Sequence, residues 1–317
     1  MNKILDQFAT KYKSVLITGG TGFMGKNLAP LLQNAGVDVT AVGRNYDLTD
    51  WQKTQKLFRL KKYDLIIHGA AFQGAGDFTI LYPADQFFKN NLIHTHVLEA
   101  WKRHQPTARL VGIGSTCSYP GNLPVLSETD YFTGPLHPSV ETYGLTKCVM
   151  QQGIKAYKKQ YGLKGTTVAF ATLFGPHDEF DLARSHVVSA LVQKFCDAVR
   201  DGTSEVEIWG DGTQTRELIY IDDQITGLLM TCEYDGELIN IGSGVETQIS
   251  DLAETIKRLS GFKGDLVYNT NRFVGVKRKV LNIDKAKNLF GWTTANKMHT
   301  LEEALQKTIA WYRENEQ

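Results

Sequence analysis

The sequence predicts an α/β protein: a doubly wound parallel sheet carrying a smaller C-terminal α/β lobe. Three observations predict it. Short apolar, β-branched runs alternate with helical patterns through the first half of the chain. A glycine-rich turn joins the first of those runs to the first helical pattern. The alternation then breaks after Gly175-Pro176, where a second unit begins. A chain of 317 residues has room for one large α/β domain with an added lobe.

Residues 14–18 (SVLIT) read as the first strand, GGTGFMG as the turn, KNLAPLLQNAG as a helix ending at Gly36, and VDVTAVG as the second strand. This is a βαβ unit, whose crossover is right-handed. YDLIIHGAA (63–71) reads as a strand running into a loop, 85–104 as a long helix, and 108–115 as a buried strand. Residues 141–162 are again helical in pattern and 166–175 again extended. Such alternation places helices on both faces of a parallel sheet. Beyond it lie a helix over 185–200, the run VEIWGDGTQTRELIYIDD, a further helix and the strand-like ELINIGSG. A helix at 250–260, a polar stretch and an amphipathic helix at 301–314 complete the chain. No internal repeat or low-complexity segment interrupts it.

Net charge is only +1. A general nucleic-acid or membrane-surface binder needs a marked basic excess, so neither partner is expected. Cys117, Cys148, Cys196 and Cys232 are scattered without C-x-x-C spacing and read as reduced thiols. No run has the length or apolarity of a signal peptide or a membrane span, so a cytoplasmic protein is expected.

The triplet Gly19-x-x-Gly22-x-x-Gly25 lies between a strand and a helix, where a pyrophosphate can sit. Missing Cβ atoms allow a sharp turn and close approach to phosphate oxygens, and the helix start at Phe23 and Met24 offers free N–H donors. This is the dinucleotide site of a Rossmann-type fold, assigned to residues 1–176 with returning segments at about 218–250. Residues 177–217 and 251–317 then form the substrate lobe. The second strand ends in Gly43-Arg44 with no acid. An acid there would hold a ribose 2′-hydroxyl, whereas a guanidinium suits a 2′-phosphate, so the expected cofactor is NADP(H).

Tyr143 and Lys147 lie four apart in a helical stretch and share a face. An ammonium beside a phenol favours the phenolate, which makes the tyrosine a usable proton donor and acceptor. Ser115 ends a strand at the carboxyl edge of the sheet, where ligands bind in open α/β folds. Taken alone, Y-x-x-x-K is common and better fits an amphipathic helix with a buried tyrosine and a surface lysine. His94-x-His96 points its rings to different faces of a helix, and no metal site is expected.

Together, the glycine triplet, the strand-end serine and Y-x-x-x-K resemble the extended short-chain dehydrogenase/reductase family. Within it, Ser115-Thr116-Cys117, Tyr119-Pro120, FGPHDEF (174–180), Ser185-His186-Val187 and WGDGTQTRELIYIDD (209–223) resemble the GDP-L-fucose synthases. The resemblance implies that Cys117 abstracts a proton and His186 returns one on the opposite face. A ketone acidifies its neighbouring carbons, so a thiolate and an imidazole suffice for that chemistry. It further implies that Asp47, Leu48 and Ala70 line the cofactor, that Arg216 faces the phosphates of a GDP-sugar, and that Trp209 and Arg184 lie on the substrate side. A homodimer through the helices at 85–104 and 141–162 is also implied.

This chain departs from that pattern at Thr172, Glu179, His96, Arg184 and the loop Ala70-Ala71-Phe72-Gln73-Gly74-Ala75-Gly76. Three other readings therefore stay open. One is a related epimerase/reductase, or a reductase alone, on another GDP-hexose or GDP-heptose. The others are a redox-neutral 4-epimerase or dehydratase, and a non-catalytic NADP-binding protein on the same fold.

Overall fold

The computed structural model describes residues 2–74, 78–182, 184–272, 277–293 and 299–316. Ala75 and Gly76 of the departing loop lie outside the described residues. The first half contains α1 (Asn2–Lys11), β1 (Ser14–Thr18), α2 (Phe23–Asn34), β2 (Asp38–Val42), α3 (Trp51–Phe58), β3 (Leu65–His68) and α4 (Phe78–Leu81). It continues with α5 (Pro83–His104), β4 (Arg109–Ile113), β5 (Val125–Leu126), α6 (Glu141–Tyr161), β6 (Gly165–Phe170) and β7 (Thr172–Phe174). The second half contains α7 (Val187–Asp201), β8 (Glu205–Trp209), β9 (Thr215–Tyr220), α8 (Ile221–Thr231), β10 (Leu238–Ile241) and β11 (Glu246–Gln248). After these come α9 (Ile249–Ser260), β12 (Asp265–Asn269), β13 (Val280–Leu281), α10 (Asp284–Phe290) and α11 (Leu301–Asn315).

Six strands form one parallel sheet in the order β10-β6-β4-β3-β1-β2. Successive side chains of its central strands enter opposite layers. Val15, Ile17, Leu65, Ile67 and Val111 join one core cluster, whereas Leu16, Ile66 and Leu110 join another. That alternation is the period of a strand, and burial on both faces explains why the strands read as unbroken apolar runs. Strand order reverses between β1 and β3, which opens a crevice at their carboxyl ends.

The remaining strands build the lobe from pairings between distant segments. β11, β9 and β7 form a three-stranded sheet, β12 pairs with β8, and β13 pairs with β5. The run 166–175, expected as one strand, divides at Ala171, whose N–H donates to the Ile241 carbonyl at 3.2 Å. Its first part stays in the central sheet and its second part pairs with β9. Within 218–250, α8 packs on α2 and β10 edges the central sheet, while β11 belongs to the small sheet. The helix α3, absent from the sequence reading, is capped by Asp50, whose carboxylate accepts from Gln52 N at 2.8 Å and Lys53 N at 3.1 Å. Among the described residues, no helix is long and apolar enough to cross a membrane.

Candidate active site

The glycine turn closes over the crevice between β1 and β3. Gly19 takes a φ of +77°, and a Cβ there would stand 2.9 Å from the Ala70 nitrogen. A Cβ on Gly25 would stand 2.4 Å from Gly20, so only glycine lets α2 start this close to the turn. Gly22 is the N-cap of α2, and the first turn, opening with Phe23 and Met24, carries no acid. Its free amides and positive end therefore fit a pyrophosphate. Arg44 is exposed just beyond β2, in a turn where the Asn45 side chain accepts from Gly43 N at 3.1 Å. Asp47 accepts from the Thr49 hydroxyl at 2.6 Å, which holds its carboxyl below the usual range. Leu48 is buried, and its carbonyl accepts from His96 Nδ1 at 2.9 Å. His96 thus lies beside the segment expected to line the cofactor.

The reactive side chains converge where β4 ends and α6 begins. Ser115 follows β4 and caps a short turn over Thr116–Ser118, its hydroxyl accepting from Cys117 N at 3.0 Å. The helix α6 is pressed onto this turn at Gly144. A Cβ on Gly144 would stand 2.2 Å from the Cys117 carbonyl, and the Ser118 hydroxyl donates to the Gly144 carbonyl at 2.8 Å. That contact sets Tyr143, half-buried in the first turn of α6, beside Cys117. Lys147 is 1% exposed, with its ammonium donating to the Ile113 carbonyl at 2.8 Å and lying 5.6 Å from the centre of the Tyr143 ring.

The electrostatics of this cluster correct one expectation. Burial pushes the Tyr143 phenol well above its ordinary value, and the Cys117 and Tyr131 side chains add to the effect. Burial also brings Lys147 down to about 8, with Cys117 opposing. The lysine, donating to the Ile113 carbonyl and 5.6 Å from the ring centre, does not offset that burial. Both groups hold their protons at neutral pH, which suits donation to an alkoxide.

Lys279 was missed by the sequence reading. Its ammonium lies 3.9 Å from the Cys117 sulfur. It precedes β13, which is fastened to β5 and to Glu217 through Leu281 N at 2.7 Å. In the sequence it sits in a polar stretch without periodicity, and only the pairing of two-residue strands brings it to the thiol.

The other predicted residues occupy the lobe. His186 is the exposed N-cap of α7. Below it is the buried Asp178, whose carboxylate accepts from the Ser189 hydroxyl and from Glu179 N at 2.8 Å. Burial pushes the Asp178 carboxyl up and the nearby His186 pulls it back down. Trp209 is 43% exposed at the end of β8, with Lys194 and Arg272 each 5.2 Å from its ring. Arg216, on β9, is half-buried and donates to the Thr215 carbonyl at 2.8 Å. Arg184 is exposed and bound to Asp181 at 3.2 Å and Glu179 at 3.4 Å. A separate cavity of about 360 Å³ lies between α8 and the start of α11, lined by Phe174, Tyr220, Asp223 and His299 among others. None of the predicted site residues lines it.

A glycine cradle at a sheet crevice, with serine, tyrosine and lysine beside it, defines an NAD(P)-dependent enzyme. The chain belongs to the NAD dependent epimerase/dehydratase family, whose description matches residues 15–242. It is 33% identical over 310 residues to a protein named putative GDP-L-fucose synthase 2 from Arabidopsis thaliana, covering 96% of this chain and 93% of that one. It is 30% identical to the GDP-L-fucose synthase of Escherichia coli (strain K12), covering 95% and 97%. A crystal structure of a GDP-L-fucose synthetase from Naegleria fowleri bound to NADP superimposes with a TM-score of 0.86 at 26% identity, covering 96% and 93%.

Proposed function

We propose that this chain uses NADPH to epimerise and then reduce a GDP-4-keto-6-deoxy sugar. The observation that carries the reading is the cluster at the end of β4. One short turn presents a hydroxyl and a thiol, and α6 brings a phenol and an ammonium against it. Relatives that share nearly the full length and are named GDP-L-fucose synthase support the substrate class. Arg44 and the absence of an acid at the end of β2 favour a 2′-phosphate on the cofactor.

In this reading the α2 amides hold the pyrophosphate and Arg44 the 2′-phosphate. Bound NADPH supplies a hydride to C4 of the sugar. Cys117, with Lys279 beside its sulfur, takes a proton from a carbon next to the ketone, leaving an enolate. His186 returns a proton to the opposite face, with Asp178 beneath it. During reduction Ser115 holds the C4 oxygen and Tyr143 gives it a proton. Arg216 binds the diphosphate, and Trp209 with its two flanking cations covers the nucleotide. Exposed Phe87, Phe88 and Val149 on α5 and α6 support a homodimer through these helices.

The test is to incubate the protein with GDP-4-keto-6-deoxymannose in deuterated water, with and without NADPH. Deuterium at C3 or C5 without NADPH, and NADPH oxidation with a C4 alcohol when it is added, are expected. Exchange at neither carbon with reduction intact would leave a reductase alone; Thr172 and Glu179, which depart from the fucose-synthase pattern, bear instead on which sugar is bound. No NADPH oxidation would overturn the reductase.

A further inference from the structure

Behind the thiol lies a buried amide that no step above uses. Asn240 is 0% exposed and sits on β10, the edge strand of the central sheet. Its backbone N–H donates to the Glu128 carboxylate at 2.9 Å. Its side-chain nitrogen donates to the Leu126 carbonyl of β5 at 2.9 Å and to the Asn282 carbonyl at 3.1 Å. Its side-chain oxygen accepts from the Tyr119 hydroxyl.

The direction of these bonds follows from their members. A carbonyl oxygen only accepts, so the end of the amide facing Leu126 and Asn282 is the NH2 group. The amide oxygen then faces Tyr119, whose hydroxyl donates to it. Both amide protons and the phenol proton have acceptors, as groups buried this deeply require.

The two arms of the amide reach different parts of the candidate site. Tyr119 directly follows the turn over Thr116–Ser118 that carries Cys117. It is 2% exposed, and its ring meets that of Tyr131 edge-on with centres 5.0 Å apart. Asn282 directly follows β13, and Lys279 directly precedes it. A pair of two-residue strands has few ladder bonds of its own, so β13 depends on anchors from outside. Leu281 N donates to Glu217 at 2.7 Å, and Asn282 N donates to the Leu126 carbonyl at 2.9 Å. That same carbonyl accepts from Asn240, which also grips Asn282 directly. One buried side chain therefore joins the segment of the thiol to the segment of the cation beside it.

We propose that Asn240 is a positioning residue for proton abstraction. Through Tyr119 it ties the Cys117 turn, and through Asn282 the Lys279 strand, to one point on the central sheet. It thereby holds the Lys279 ammonium 3.9 Å from the Cys117 sulfur. A cation beside a thiol favours the anionic form, which is the form that takes a proton. That attraction falls with separation, so slack in either arm weakens it. The proposal deepens the reading of Cys117 as the base and rests on it.

Alkylation of Cys117 by iodoacetamide near neutral pH reads the thiol without any substrate. Mass analysis of the Cys117 peptide separates it from the buried Cys148, Cys196 and Cys232. Lys279→Met is expected to slow the reaction about tenfold. Tyr119→Phe removes one arm, and Asn240→Asp turns the donors of the other into an acceptor. Each should slow it about threefold to fivefold. In the Lys279→Met background, Tyr119→Phe should have no further effect, because the arm acts through the ammonium. A role in packing alone would slow alkylation equally in both backgrounds, and that result overturns the proposal. Wild-type or faster alkylation in Tyr119→Phe, or an unchanged rate in Lys279→Met, overturns it as well. Thermal melting checks that each variant is folded, and if Asn240→Asp is not, the Tyr119 and Lys279 pair decides alone. Failure of the wild type to exchange deuterium into any keto-sugar would instead overturn the role of Cys117 as the base, leaving alkylation to judge the positioning.

Discussion

The two halves of the site are built differently. At the end of β4 the reactive groups are bonded to the scaffold: Lys147 to Ile113, Ser115 to Cys117 N, and the turn to Gly144. In the lobe, His186 is the exposed N-cap of α7 and Trp209 is exposed at the end of β8, which pairs only with β12. Under the proposed function, the contrast separates two tasks. Proton transfer to a carbonyl needs groups fixed to within fractions of an ångström, and a doubly covered sheet supplies that rigidity. Recognition of a nucleotide and a sugar tolerates a surface that closes around its ligand.

The largest expected effect falls on the rigid half. Tyr143→Phe should lower the rate of NADPH oxidation with a keto-sugar by about 1,000-fold while NADPH binding stays near wild type. A rate within a few-fold of wild type would remove Tyr143 from the chemistry and with it the contrast. Cys117→Ser should lower deuterium exchange next to the ketone by about 100-fold, because a serine hydroxyl ionises far less readily than a thiol and so supplies almost no anionic base. Its effect on reduction of an already epimerised substrate should be small. Equal losses in both steps would mean that Cys117 supports the turn instead of taking a proton.

Stability across pH sharpens the same half. The folded value of Lys147 is about 8, below its ordinary 10.5, so the fold disfavours the charged form. Between those values the unfolded chain holds a proton that the folded chain has lost. Stability contributed at this residue therefore rises with pH across that window, and the full penalty is present below about pH 8. Relative to Lys147→Met, the wild type should gain about 3 kcal/mol over the window in urea titrations at successive pH values. A constant difference would mean that the ammonium is not desolvated.

Legibility in the sequence follows the same division. The central sheet could be read because burial on both faces writes unbroken apolar runs such as Leu65-Ile66-Ile67, and the glycine turn has fixed spacing. Gly19, Gly25, Tyr143 and Lys147 announce themselves by position within one local segment. The lobe resisted because β5 and β13 are two residues each and mean nothing until paired. Lys279 gave no local signal for that reason, and neither did Gly144, whose role is a contact with a turn 27 positions earlier in the chain. The sign of the Tyr143 effect was misread because helical spacing reports proximity and not desolvation.

Arg44→Ala should weaken NADPH binding about tenfold to 100-fold and leave NADH binding nearly unchanged, as loss of a charge-assisted phosphate contact requires. Equal weakening of both would place Arg44 in general support of the turn.

The smallest effect is expected at Arg184, and it probes the lobe most directly. This cation, next to His186, stands on the expected substrate side at a position where the family is usually neutral. Its guanidinium is instead bound to Asp181 and Glu179 and remains 54% exposed. Exposed ion pairs contribute little, so Arg184→Ala should leave stability within about 0.5 kcal/mol. If the ion pairs persist with substrate bound, KM for the sugar nucleotide should stay within about twofold. A tenfold rise in KM would show that ligand binding draws Arg184 away from its two carboxylates, in which case the lobe rearranges around the substrate. Glu179→Gln separates these outcomes, because releasing the arginine should then lower KM in a lobe that closes and leave it unchanged in one that does not.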